Sequence, residues 1–119
     1  MKKINLSEKL LEFTDHWSPK IIAEMNNYQF KLVKIEGDFI WHNHAHTDET
    51  FIVLEGSMFI ELEDDIVELN EGEMYVVPRG VNHKPYAIEE CKVMLVEPRG
   101  VLNTGNINND LTASDDEWI

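Results

Sequence analysis

Three histidines and a glutamate lie in the run Trp41-His42-Asn43-His44-Ala45-His46-Thr47-Asp48-Glu49, and His83 ends the stretch Pro78-Arg79-Gly80-Val81-Asn82-His83. Imidazole nitrogen and carboxylate oxygen together suit a divalent first-row metal. A strand turns alternate side chains to one face, so His42, His44 and His46 point the same way if the segment is regular. Glu49 follows a short Thr47-Asp48 turn and can return to the same centre from the next strand. His83 is remote in sequence, but the Pro-x-Gly turn before it could bring one more imidazole across. Buried polar groups need partners, and one ion would satisfy several of these at once. The same residues could also form a surface cluster or a pH-sensitive patch.

Short strands are the elements that must position them. Apolar segments run over Ile21–Met25, Tyr28–Ile35, Phe39–His46, Thr50–Leu54, Ser57–Glu63, Ile66–Leu69, Met74–Val77 and Lys92–Glu97. Tyr28–Ile35 alternates apolar and polar apart from the neighbouring Leu32 and Val33. Turn residues separate the segments, among them Asn26-Asn27, Gly37 and Asp64-Asp65. Short strands at regular spacing predict an all-β sandwich or barrel. Ahead of them, Asn5–Phe13 reads as a short helix with Asn5 or Ser7 as cap and Glu8 three residues after Asn5. Leu6, Leu10 and Phe13 would face the body. After Pro98 the chain is rich in Asn and Gly and has no period. Its end, Trp118-Ile119, predicts a tail that docks back on the body.

A length of 119 residues predicts one domain, 1–119. Ten Lys and Arg against 23 Asp and Glu give a net charge of −13. That excludes the basic surface a nucleic-acid partner needs and disfavours anionic membranes. Cys91 is the single cysteine, so no intramolecular disulfide can form; its apolar setting predicts a buried, inert thiol. Met1-Lys2-Lys3 is not followed by a leader-like apolar stretch, and no run reaches the roughly 20 apolar residues that cross a bilayer. A cytoplasmic protein is expected.

The spacing of these residues resembles the cupin family, small β-barrels that hold a metal in their mouth. The first cupin motif has its counterpart in His42-x-His44, four residues, Glu49, six residues and Gly56. The second has its counterpart in Gly72, five residues, Pro78-x-Gly80, two residues and His83. Two positions depart from the pattern. Gly37 stands one residue too close to His42, and Ala87 replaces the Asn that often follows the second motif. Neither is a ligand position. The resemblance implies a double-stranded β-helix, or jelly-roll, barrel with a short N-terminal helix and an irregular C-terminal tail. It also implies a metal-binding core over 37–97 and the ligand set His42, His44, Glu49 and His83. His46 then lies near the rim or just behind the ligands, as a supporting or pocket residue; pairing His44-x-His46 with Glu49 would break the family spacing. Strand parity nominates Ile40, Phe51, Met58 and Ile60 as further pocket residues, and Asp48 as a turn residue.

Cupins include dioxygenases, sugar-phosphate isomerases, decarboxylases and binding modules, and the fold does not choose among them. The single-domain layout resembles small cupins of the mannose-6-phosphate isomerase-like kind. The resemblance therefore implies a divalent cofactor (Fe, Mn, Zn or Ni), a small oxygen-rich substrate handled by Lewis-acid isomerisation or dioxygenation, and a homodimer paired through N-terminal strands. A phosphosugar substrate would want Arg and Lys at the mouth, where only Arg79, Lys84 and Arg99 are candidates. A non-enzymatic metal or small-molecule binding or sensor module is the alternative.

Overall fold

The longest strand, β7 (Lys84–Pro98), organises the molecule. The computed structural model describes residues 2–119. Before β7 come α1 (Leu6–Leu10), β1 (Lys20–Met25), β2 (Tyr28–Asp38), β3 (Glu49–Glu55), β4 (Ser57–Glu61), β5 (Ile66–Asn70) and β6 (Met74–Val77). The order β1-β2-β7-β3-β6 forms one face, and β4 joins β5 to the first part of β7. β7 pairs with β4 at Tyr86↔Phe59, with β3 at Val96↔Thr50, and with β2 along most of its length. One long strand thus serves both sides of a jelly-roll barrel, with every ladder antiparallel.

Burial explains the broken alternation of β2. Lys31, Leu32, Val33, Lys34 and Ile35 are all buried. Val33 and Ile35 face the barrel interior with Phe51, Val53, Met58, Ile60, Val93 and Leu95. Leu32 faces outward into a second cluster with Leu10, Phe13 and Ile22, where α1 covers the sheet. A side chain buried on each face removes the need for a polar alternate.

The helix is shorter than the predicted Asn5–Phe13. Asn5 caps it by accepting from the Glu8 amide at 3.0 Å, but Leu11 and Glu12 bond back only three residues, and Leu11 is left exposed. Leu10 and Phe13 nevertheless bury as their spacing predicted.

Two strand predictions need correction. Phe39–His46 is no strand: only His42 pairs, in a single bridge with His83 (N–O 3.0 and 2.9 Å), and the chain bends at Ala45-His46. The neighbouring His44 carbonyl accepts from the Gly80 turn instead, at 2.9 Å. Conversely, β7 begins at Lys84 rather than Lys92. Exposed Ile88, Glu89 and Glu90 interrupt its pattern where the strand passes from β4 to β3.

The tail does dock, with Trp118 forming a parallel backbone bridge to Ile21 rather than burying its side chain. Trp118 is 52% exposed. Ile119 packs on the outer cluster, and the backbone of Ile21 bonds Glu117 and Ile119 at 2.7 and 3.1 Å. That contact covers part of the outer edge of β1, the strand proposed for dimer pairing. Among the described residues no helix is long and apolar enough to cross a membrane.

Candidate metal centre

The loops before β3 and β7 carry the site. His42 and His83 face each other across their two-way backbone bridge, and their ring centroids lie 4.3 Å apart. Asp48 ties the two motif loops together, its Oδ1 accepting from the Arg79 amide at 2.8 Å. Asn43 bonds Asn82 outside the same bridge at 2.8 Å. With His44 and Glu49, the first residue of β3, these imidazoles form a group whose ligand atoms all lie within 4.8 Å of one another.

The ring tautomers follow from the backbone. Nδ1 of His42 lies 2.9 Å from the Ile40 carbonyl and Nδ1 of His83 lies 2.9 Å from the Val81 carbonyl. A carbonyl only accepts, so each Nδ1 carries the hydrogen and each Nε2 presents a bare lone pair. This is the orientation in which backbone groups hold metal-binding histidines. Glu49 Oε1 approaches Nε2 of His44 at 3.3 Å and Nε2 of His83 at 3.5 Å. Neither approach has hydrogen-bond geometry, and both Nε2 atoms are buried without a partner. Orphaned buried nitrogens are costly, and a cation among them would remove the cost. The donor set therefore fits a divalent metal site.

Electrostatics favour the ligand forms. Burial, helped by neighbouring His83, pushes His42 down to about 4, so it is neutral at pH 7. Burial alone would raise Glu49, but contacts from His44, His83 and Glu97 outweigh it and hold the carboxyl well below the usual range. Glu97 moves the other way. Burial first, then the charge of Glu49, raises it well above the usual range, against the opposing influence of Lys31.

A small apolar cavity of about 30 Å³ adjoins the centre, walled by Trp17, Phe39, Phe51 and Asn103 with His42 and Glu49 at its edge. Trp17 stacks on Phe39 at 4.6 Å and anchors its indole nitrogen on the Glu36 carbonyl at 3.0 Å. Asn103 clamps the roof: its amide donates to the Trp17 and Leu111 carbonyls, both at 2.8 Å. Outside, a cleft of about 270 Å³ runs from His44 and His46 to Val101, Leu102 and Gly105 of the tail.

The other nominated residues fall in different places. Phe51 lines the inner cavity and meets His83 edge-on. Ile40 contributes its carbonyl to His42. Met58 and Ile60 are fully buried in the core and do not line that cavity. His46 is exposed on the outer cleft. Arg79, Lys84 and Arg99 pair with Asp48, Asp38 and Glu24 and line neither space. Trp17 and Asn103 escaped the sequence reading because they come from segments without periodicity, and Phe39 because it was read only as the start of a strand. Lys31 and Glu97 did leave a signal: each is a charged residue at an inward position of an otherwise apolar strand face.

Comparison with known proteins agrees with this architecture. A family model described as "Cupin domain" matches residues 30–97. The Bacillus subtilis protein YdbB is 34% identical over 53% of this chain, and the chain spans only 57% of that relative's length. The crystal structure of a cupin-2 domain containing protein from Shewanella frigidimarina is 60% identical, covering 81% of this chain and 94% of that one, with a TM-score of 0.80. Protein NMB1881 from Neisseria meningitidis is 36% identical, covering 82% and 99%, with a TM-score of 0.75. Hydroquinone 1,2-dioxygenase PnpCD, solved with Cd2+ and 4-hydroxybenzonitrile, shares the fold at 17% identity, covering 77% and 70%, with a TM-score of 0.68. With its motif residues gathered in the mouth of a jelly-roll barrel and the family model spanning most of that barrel, this chain belongs to the cupin family.

Proposed function

We propose that the protein is a metal-dependent enzyme in which His42, His44, Glu49 and His83 hold a divalent ion and a small molecule with adjacent oxygens is the substrate. The observation that carries this reading is the pair of orphaned, buried Nε2 atoms of His44 and His83 beside Glu49; Glu49 and His42 in turn edge an apolar cavity. Three imidazoles and a carboxylate leave about two positions free on an octahedral ion, the feature that separates catalytic from structural sites. When bound, the ion would supply Lewis-acid polarisation or, as iron, an oxygen-chemistry centre. The Ile40 and Val81 carbonyls hold two imidazoles in the ligand tautomer. Trp17, Phe39 and Phe51 give the centre an apolar wall.

Between the two chemistries, oxygenation fits better than isomerisation of a phosphosugar. Among the described residues no Lys or Arg lines either space, and a net charge of −13 repels anions. A second reading, a non-catalytic binding module, is favoured by the tightness of the inner cavity, which has room for little more than a water or two. The assembly is proposed as a homodimer, motivated by exposed Met25, Met74 and Val76 on the edge strands β1 and β6; a monomeric mass by sedimentation would remove that element.

The test is elemental analysis of protein purified at low oxygen without added metal, followed by turnover assays. Stoichiometric iron that disappears in His44→Ala, with activity on catechols, thiols or β-diketones, is the expected result. Full metal occupancy with no turnover on these or on sugar phosphates would leave the binding module. Absence of stoichiometric metal would sink both.

A further inference from the structure

We infer that the apolar cavity beside the metal centre is a binding site for a benzene-sized apolar group of a ligand, closed by Trp17 as a gate that Asn103 of the tail holds shut. As part of a substrate site this rests on the metal-enzyme reading above; its test is read on metal-free protein, so the two can fail separately.

The cavity has the walls of a ligand site and lacks the room. Val33, Ile35, Phe51, Val93 and Leu95 line it, and His42 and Glu49 stand at its edge. At about 30 Å³ it takes a water or two, whereas ligand pockets run to roughly 300–1,000 Å³. The five apolar walls stand on β2, β3 and β7, where the ladders hold them. Trp17 and Asn103 have no such support: one lies in a bend before β1, the other in the turns after β7. Moving the Trp17 indole aside adds room on the scale of the roughly 150 Å³ apolar cavity that takes up benzene.

The backbone of Trp17 is held under strain. Its φ is +61, in the left-handed region. Among the described residues the other non-glycine there is Asn26, a residue type that tolerates this conformation in turns. For a bulky side chain it is costly and persists only where the surroundings enforce it. Three hydrogen bonds enforce it here. The Trp17 amide donates to the Lys34 carbonyl at 2.9 Å and the indole nitrogen to the Glu36 carbonyl at 3.0 Å, both on β2. The third comes from the tail, where Asn103 Nδ2 donates to the Trp17 carbonyl at 2.8 Å.

Asn103 uses the rest of its side chain on the tail itself. It donates to the Leu111 carbonyl at 2.8 Å and accepts from the Ala113 amide at 2.9 Å. Residues 103–113 thus close into a loop of turns without a strand of its own. Segments of this kind open at the low end of a fold's stability. When this loop lifts, Trp17 loses one of its three restraints and its backbone is free to relax.

Benzene titrated into metal-free protein is the probe, followed by methyl NMR of Val33, Ile35, Val93 and Leu95. Trp17→Gly removes the gate and keeps a residue that accepts positive φ. Asn103→Ala removes the latch and leaves the gate. Leu10→Ala loosens the outer cluster and controls for general destabilisation. Benzene should bind most tightly in Trp17→Gly, about 5–10-fold more tightly in Asn103→Ala than in wild type, and in Leu10→Ala as in wild type. Three results overturn the inference: no binding in Trp17→Gly, wild type binding as tightly as Trp17→Gly, or Asn103→Ala no different from wild type or from Leu10→Ala. Should one of the two roof variants fail to fold, the other, compared with wild type and Leu10→Ala, decides. If benzene enters as expected but the protein holds no metal, the gated cavity stands and the metal-enzyme reading falls. If metal is stoichiometric and benzene enters neither roof variant, only this inference falls.

Discussion

Acid should weaken the metal-free protein through His42. Its imidazole is 3% exposed, and burial, with His83 adding to it, lowers it from the ordinary 6.5 to about 4. Between those values the unfolded chain holds a proton that the folded one does not, so stability is fully present above pH 6.5 and is lost as pH falls toward 4. Each unit corresponds to about 1.4 kcal/mol. The loss is about 2 kcal/mol at pH 5 and about 3 kcal/mol at pH 4, a large part of the roughly 5–15 kcal/mol typical of a domain. Glu49, held below the usual carboxylate range, adds a loss of the same sign at lower pH. The assay is urea denaturation of metal-free wild type and His42→Gln at pH 7.5 and pH 5. Gln keeps a donor for the Ile40 carbonyl but cannot take the proton. Wild type should lose about 2 kcal/mol more than the variant between the two conditions. A saturating divalent ion should move the loss to lower pH, because proton and metal compete for Nε2. Parallel pH profiles for the two proteins, or an NMR titration of His42 near 6.5, would refute the argument.

Three further outcomes follow from particular contacts. His46→Ala should leave metal stoichiometry unchanged, since His46 is exposed beyond the bend at Ala45; loss of the metal would place His46 among the ligands. Cys91 is fully buried, and burial, with the charge of Glu55 adding to it, pushes its thiol up to about 11. A thiol reagent at pH 8 should leave it unlabelled in the native protein and label it once denatured; rapid native labelling contradicts the placement. Gly105 sits at φ +65, with the Asn43 carbonyl oxygen where a Cβ would go. Gly105→Ala should cost about 1–3 kcal/mol or release the tail, read as a lower melting temperature or faster proteolysis near residues 100–113. Unchanged values on both measures would refute that contact.

The turns, most of the strands and the identity of the four converging residues were legible in the chain itself. Pro78-x-Gly80 and the apolar alternation are local properties, and a β-barrel converts alternation into inside and outside wherever one face is wet. The same rule overreached at Phe39–His46, because alternation reports burial and cannot report whether a partner strand exists. It also fell silent at Leu32–Val33, where α1 buries the second face. His42 and His44 reached the site without the predicted strand because an extended segment keeps the same parity, while the bend at Ala45 turned His46 out to solvent. Only the tertiary structure decided what surrounds the centre. Trp17 and Asn103 are brought over it from opposite ends of the chain, and Lys31 and Glu97 meet from two different strands. Such contacts depend on strand register and on where the tail docks, and these are set by the packing of the whole barrel, which no local run of residues encodes.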